Sequence, residues 1–148
     1  MLGIMRAITI VVAALMFCSA IPSCAADTSP NDIPPEAHFR EFLRRDLESY
    51  FRNYLKAQHV DATYDLLRDA PTITGIAYPK YYLWVRVITD RVAYTAGAVR
   101  VAAVDGTHFD VTHFIPKADI LANHEVLTSV FPAPLVPKII HIAETPQK

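Results

Sequence analysis

The chain offers few side chains that could act as a catalytic nucleophile. Downstream of residue 26 the serines are Ser29, Ser49 and Ser129, and the last cysteine of the chain is Cys24. Neither Ser49 nor Ser129 lies in the Gly-x-Ser-x-Gly pattern that exposes a serine on a strand-to-helix turn. We expect both to be helix-surface or capping hydroxyls. The sequence therefore predicts neither a serine nor a cysteine hydrolase.

The histidines do not have the spacing of a metal site. The chain has six of them, with no His-x-x-x-His pair and no Cys/His cluster. His108 and Asp110 are two residues apart, so on one strand they would share a face and form part of a site. The alternative is a solvated sheet face on which Asp110 pairs with Arg100. We predict no metal and no cofactor.

Acid–base chemistry would need tyrosine, aspartate and histidine side chains gathered in one apolar cavity. No spacing marks two of the candidates as a pair, and seven tyrosines make chance proximity common. The sequence therefore predicts no catalytic residue, and a pocket lined by Tyr64, Tyr81 and His113 stays as an alternative. We expect His113 to lie on the same side of the sheet as Phe109 and Val111, hydrogen-bonded and partly buried.

The composition is that of one ordinary globular domain. The chain has 148 residues, of which 52% are hydrophobic, and 14 basic residues against 15 acidic ones. This charge balance lacks the basic excess of a nucleic-acid-binding protein. The apolar content excludes intrinsic disorder, and four glycines leave little material for a Gly-rich phosphate-binding loop.

The first 26 residues have the pattern of a signal peptide. Arg6 precedes an apolar stretch over 7–17, and small residues before position 27 suit cleavage. The segment Ile21-Pro-Ser-Cys24 also resembles the lipobox of bacterial lipoproteins, in which the signal ends before a lipidated Cys24. An uncleaved segment would instead anchor the chain in a bilayer. We predict an exported protein, periplasmic or secreted, that meets the membrane only through this signal or a lipid on Cys24.

The clearest element of the sequence is a long amphipathic helix. Residues 27–35 carry three prolines and predict a flexible leader, and the helix then begins at Glu36. Its apolar residues recur at three- and four-residue steps, which is typical of a helix with one buried side. They are Phe39, Phe42, Leu43, Leu47, Tyr50, Phe51, Tyr54 and Leu55.

Antiparallel strands are expected to cover this helix. The stretch 62–68 permits a strand, and alternation predicts strands over 81–88, 96–104 and 108–115. A three-residue loop 104–106, with a left-handed Gly106, sorts polar and apolar residues between the two faces of the last hairpin. In that register Val101 opposes Phe109 and Arg100 opposes Asp110.

The remaining residues predict short helices. A helical turn suits 117–121 and a second short helix 123–131, after which three prolines interrupt the chain before an apolar patch at 139–142. The predicted fold is therefore α+β, with one long N-terminal helix on a curved antiparallel sheet of about four strands and short C-terminal helices. We place the domain at 36–142 and a tail at 143–148.

A long helix followed by an antiparallel meander resembles the cystatin-like and NTF2-like group of small α+β folds. The resemblance covers 36–115 and rests on the order of the elements. A cystatin relationship implies protease inhibition, but the Gln-x-Val-x-Gly hairpin of that family is missing, because the glutamines are Gln58 and Gln147. An NTF2-like relationship implies a pocket that holds a small apolar molecule.

The sheet face opposite the long helix is the predicted working surface. It presents Tyr82, Trp84, Arg86, Arg100, His108 and Asp110. Aromatic and arginine side chains together favour a protein partner or a homodimer contact. The alternative is that the proline-rich tail folds back over these aromatic residues within one subunit. We therefore predict an exported binding or interaction domain, or else an NTF2-like pocket enzyme or carrier.

Overall fold

A computed structural model describes residues 32–75, 77–90 and 95–146 of the protein. A long helix is followed by four strands and then by a series of short helices. The bounds are α1 Glu36–Leu55, β1 Val60–Leu66, β2 Lys80–Thr89, β3 Thr95–Ala103, β4 Phe109–Pro116, α2 Lys117–Ala122, 3-10 helices His124–Leu127 and Ala133–Leu135, and α3 Val136–Glu144. The predicted α+β class and element order are confirmed.

Helix α1 begins at Glu36, as the sequence predicts. Pro35, with a φ of −52°, directly precedes the first helical residue, and its missing N–H breaks no helical hydrogen bond there. At the other end Lys56 adopts a left-handed φ of 52°, and its amide donates to the carbonyl of Arg52. The buried residues of the helix are Leu43, Leu47 and Phe51.

The sheet is an antiparallel meander with strand order β1–β2–β3–β4, so β1 and β4 form its two edges. Helix α1 lies on one face of this sheet. The helix-facing core is built from alternate residues of the strands, as the period of two requires. Its buried contributors from β2, β3 and β4 include Tyr81, Leu83, Val85, Val87, Val99, Val101 and Phe109.

The predicted β3–β4 register is wrong by two residues. Val101 pairs with Val111 rather than with Phe109, because the hairpin loop spans 104–108 and closes through a 2.9 Å bond from the Val104 amide to the His108 carbonyl. Gly106 has the predicted left-handed backbone, with a φ of 75°. A shift of two residues preserves the alternation of faces, so Phe109 and Val111 still point toward α1.

A β-bulge reverses which residues of β4 point toward α1 in the second half of the strand. The register shifts between Arg100 and Val101, which leaves Thr112 as the extra residue of β4. Arg100 consequently pairs with His113, whereas Asp110 pairs with Ala102. The predicted Arg100–Asp110 pair is therefore wrong, and His113 lies on the face opposite to the one predicted.

The C-terminal segment covers the second face of the sheet. Pro137 occupies the first turn of α3, a position in which proline interrupts no hydrogen bond. A helix therefore starts at the point where the sequence predicts a break. Helix α3 continues to Glu144 with Ala143 buried, past the boundary predicted at 142. The buried residues of this layer are Ile120, Leu127, Phe131, Leu135, Ile139 and Ala143.

The chain before α1 also packs on the domain. Pro34 is buried, and the carbonyl of Asp32 accepts a 3.0 Å bond from the Gly106 amide, so the predicted flexible leader 27–35 is packed from residue 32 onward. The predicted signal peptide 1–26 and Cys24 lie outside the described residues. Of the helices in the described ranges, none combines the length and the apolar character needed to cross a bilayer.

Candidate functional site

The aromatic residues of the predicted binding face lie beneath the C-terminal helices. Tyr82 is 4% exposed and Trp84 is fully buried, both packed in the cluster that contains Phe131 and Ile139. The prediction of an exposed Trp84 surface is therefore wrong, and the alternative of a tail folded back within one subunit describes the structure. The physical reason is that burial against the sheet removes the apolar side chains of 117–144 from water, which lowers the free energy of the folded chain.

The arginines of that face have partners within the chain. Arg86 donates to Asp65 at 2.7 Å. Arg100 donates from Nε to Thr112 at 2.9 Å, and from Nη1 to the carbonyl of Val130 at 3.3 Å. The bond to Val130 ties the C-terminal segment to the sheet. Arg100 thus stabilises the covered face rather than presenting a charge to a partner.

His108 and Asp110 lie close together, but their surroundings indicate a structural role. His108 Nε2 is 2.7 Å from Asp110 Oδ1, and His108 Nδ1 is 3.5 Å from Asp46 Oδ2. Asp46 lies on α1 and accepts 2.8 Å bonds from the Phe109 amide and from Arg45 Nε. These contacts fasten α1 to the start of β4.

The residues of the alternative pocket are not brought together. Tyr64 and Tyr81 point to the α1 side of the sheet, whereas His113 lies on the second face beside Arg100. His113 is exposed there, so the prediction that it is partly buried is wrong. Burial raises the pKa of the Tyr81 hydroxyl, and burial followed by the charge of Arg100 lowers the pKa of His113. Arg100 Nη2 and His113 Nδ1 are 2.7 Å apart, so a neutral imidazole accepts this bond.

The described residues contain no cluster of three or more His, Cys, Asp or Glu side chains that could hold a metal ion. Ser49 and Ser129 are exposed. Ser129 lies in the turn after the 3-10 helix His124–Leu127, not on a helix surface, and donates a long 3.4 Å bond to the carbonyl of Val126. Ser29 lies outside the described ranges.

The outer edge of β1 is the feature that could bind another molecule. The amide of Leu67 donates to the carbonyl of Tyr82 at 2.9 Å, so these two residues form a hydrogen-bonded pair one step beyond the last pair of the β1–β2 register, Leu66–Leu83. Because such pairs alternate along antiparallel strands, the N–H and C=O groups of Ala62 and Tyr64 point away from β2. Within the described ranges these outward groups have no main-chain partner.

A groove runs along this edge between β1 and α1. Its main part has a volume of about 600 Å³, and a neighbouring depression of about 380 Å³ shares four of its lining residues. Burial raises the pKa of Tyr64 in the wall, and the nearby charge of Arg40 opposes that shift. The shared residues are Phe39, Arg40, Leu66 and Asp69.

The edge formed by β4 carries backbone features that prevent strand pairing, and β1 has none of these backbone features. Strand β4 carries the bulge at Thr112, ends at Pro116, and has its outward Phe109 amide bonded to Asp46. Bulges, prolines and covered amides are the devices by which proteins prevent unwanted strand pairing. Strand β1 is a regular seven-residue strand in unbroken register with β2.

The β1 edge is not among the features predicted from the sequence. The sequence of 62–68 only permits a strand, although the meander order makes the first strand an edge once it is recognised as a strand. The groove depends on how α1 crosses the sheet, and no local pattern encodes that angle. Comparison with models of known protein families, with curated proteins and with solved structures finds no match to this chain.

Proposed function

We propose that this protein is an exported binding domain that takes up an extended polypeptide segment as a fifth strand beside β1. The observation that carries the proposal is the free edge of β1, where the backbone groups of Ala62 and Tyr64 point into an open groove. Strand addition uses such groups for affinity and the flanking side chains for specificity. The interaction class is the one predicted from sequence, but the surface is the β1 edge.

We also propose that the domain has a cystatin-like scaffold. Its support is the order of elements, a long helix across a four-stranded meander. An NTF2-like carrier or enzyme has less support, because Tyr64 and Tyr81 are separated by the sheet from His113. We therefore assign the chain a binding role without chemistry.

Export is the remaining part of the proposal and rests on the apolar pattern that follows Arg6. Intact-mass measurement of the protein recovered outside the cytoplasm tests it. We expect the mass of a chain that starts near residue 27, or that of a chain starting at a lipidated Cys24. A full-length mass would contradict cleavage.

The binding role is tested by selecting strand-forming peptides from a random library on the immobilised domain and re-measuring each hit on two variants. Ala62→Pro removes an outward amide without breaking the β1–β2 ladder. Val111→Pro is the matched control, because the same alternation points its amide outward on the opposite edge strand. Thermal melts of both variants confirm that they are folded.

We expect the selected peptides to lose binding to Ala62→Pro and to keep binding to Val111→Pro. Should Ala62→Pro not fold, Val60→Pro offers a second outward amide at the first residue of β1. Hits that bind the folded β1 variants as well as the wild type would contradict the proposed function.

A further inference from the structure

We infer that the partner of β1 is an extended peptide with basic and apolar residues in alternation, its basic side facing Asp61 and Asp65. This inference rests on the proposed function and specifies the chemistry of the partner. Asp61, Thr63 and Asp65 share one face of β1. The side chains of both aspartates are 61% exposed, so a neighbouring strand can reach them.

The pairing geometry brings these carboxylates close to an added strand. Because Ala62 and Tyr64 would make the main-chain bonds, Asp61, Thr63 and Asp65 would sit at the non-hydrogen-bonded positions of the new pair. Residues directly opposite at such positions have Cα atoms about 4.5 Å apart, closer than at the hydrogen-bonded ones. Two basic residues four apart on the partner would therefore each meet one aspartate.

The present ion pairs leave room for these contacts. Asp61 binds Arg44 through Oδ1 at 3.0 Å, and Asp65 binds Arg86 through Oδ2 at 2.7 Å. The other oxygen of each carboxylate has no cationic partner in the described part of the chain. Arg44 also donates to Glu48 at 2.8 Å, so it keeps a partner when Asp61 turns to a new one.

The opposite side of the added strand would face the groove. Its wall there contains Phe39, Ala62, Tyr64 and Leu66, which offer apolar surface beside the guanidinium of Arg40. Residues between the basic positions would point to this wall, since side chains alternate along a strand. Apolar side chains gain most from such a site.

A second copy of this chain fits the edge less well. In the symmetric antiparallel pairing centred on Thr63, Asp61 of one copy would lie opposite Asp65 of the other, on both sides of the axis. Like charges directly opposite one another destabilise a strand pair. A basic partner supplies the complementary charge.

The test uses two seven-residue peptides, one alternating lysine with valine and one alternating glutamate with valine. Fluorescence anisotropy measures Kd on the full chain at low and moderate salt. We expect the lysine peptide to bind at least about tenfold more tightly than the glutamate peptide, which corresponds to two cross-strand charge pairs. We expect the doubly substituted Asp61→Asn, Asp65→Asn domain to lose that preference.

Two controls locate the effect. Asp110→Asn removes an equally exposed carboxylate from the other edge strand, and we expect it to leave the preference intact. Ala62→Pro should abolish binding of the lysine peptide. If Asp110→Asn weakens binding as much as the double variant, the attraction is a general one to the acidic chain and the inference is overturned.

The remaining outcomes separate the inference from the function on which it rests. Equal binding of the two peptides, lost in Ala62→Pro, would overturn the basic partner and leave strand addition standing. Binding of neither peptide, together with a dimer by sedimentation that Ala62→Pro dissociates, would identify a second copy as the occupant. Binding of neither peptide by a monomer would overturn both proposals.

Discussion

Several polar side chains of this protein form hydrogen bonds that connect one layer of the fold to the next. Arg100 joins the sheet to the C-terminal segment through Val130, and Asp46 joins α1 to β4 through the Phe109 amide. Arg100 belongs to the binding face predicted from the sequence, whereas Asp46 is not among the predicted site residues. In the structure each of these two side chains forms a hydrogen bond with a backbone group that would otherwise have no partner. Polar groups near a protein core are usually hydrogen-bonded in this way.

Asp46 offers a direct test of this role. Its side chain is 9% exposed, and Asp46→Ala would leave the Phe109 amide without its acceptor, at a cost of about 1–3 kcal/mol. Asp46→Asn keeps an acceptor oxygen and should cost less. Asp110→Ala, on the exposed side of His108, should cost under about 1 kcal/mol. Urea unfolding measures all three, and equal losses for Asp46→Ala and Asp110→Ala would contradict the assignment.

His113 reports on the Arg100 contact through its titration. Burial and then the Arg100 charge lower its pKa below the ordinary value of 6.5. We expect NMR titration to show this, and Arg100→Gln to move the pKa upward. As the pH falls, the imidazole of His113 is protonated at a higher pH in the unfolded chain than in the folded one. The contribution of His113 to stability is therefore lost as the pH falls below about 6.5. An unchanged pKa in Arg100→Gln would contradict the contact.

At the scale of elements, the strands themselves could be predicted from the sequence, but their mutual alignment could not. The alternation from Tyr81 to Ile88 has the signature of one strand, whatever its neighbours. The bulge at Thr112 has no such signature, because it arises from pairing with β3. The same applies to Pro137, which is compatible both with a break and with the first turn of a helix.

Gly97 shows how closely β3 and β4 approach at the end of the hairpin. A Cβ atom at this position would overlap the carbonyl oxygen of Ile115 and lie 2.7 Å from the ring of Phe114. Gly97→Ala should therefore destabilise the domain by about 1–3 kcal/mol, the usual cost of overpacking. Thermal or urea unfolding measures it. Wild-type stability in Gly97→Ala would show that the two strands separate more easily than this packing implies.

At the scale of the whole molecule, the sheet is enclosed between α1 and the C-terminal helices. The sequence is compatible both with a tail that covers Trp84 and with an exposed Trp84, because composition alone does not say which apolar segment packs on that sheet face. The free edge of β1 is likewise a property of the assembled sheet. It depends on strand order and on the distance between α1 and the strand, neither of which a single segment encodes.

Trp84 tests this layered arrangement, because it is the only tryptophan of the chain and is fully buried. We expect its fluorescence to be shielded from iodide in the native state and exposed on unfolding. Trp84→Ala should cost about 3–5 kcal/mol, as for other large core side chains, without changing the sedimenting mass. Strong native quenching, or a small cost accompanied by altered association, would contradict a buried Trp84.

Hydrogen exchange at β1 tests the central claim most directly. The amides of Ala62 and Tyr64 point away from the sheet, whereas those of Thr63 and Asp65 are bonded to β2. In the free protein we predict fast exchange at Ala62 and Tyr64 and slow exchange at their neighbours. A saturating lysine–valine peptide should slow the two outward amides and leave Val111 unchanged. Unaltered exchange at Ala62 and Tyr64 under saturation would contradict strand addition at β1.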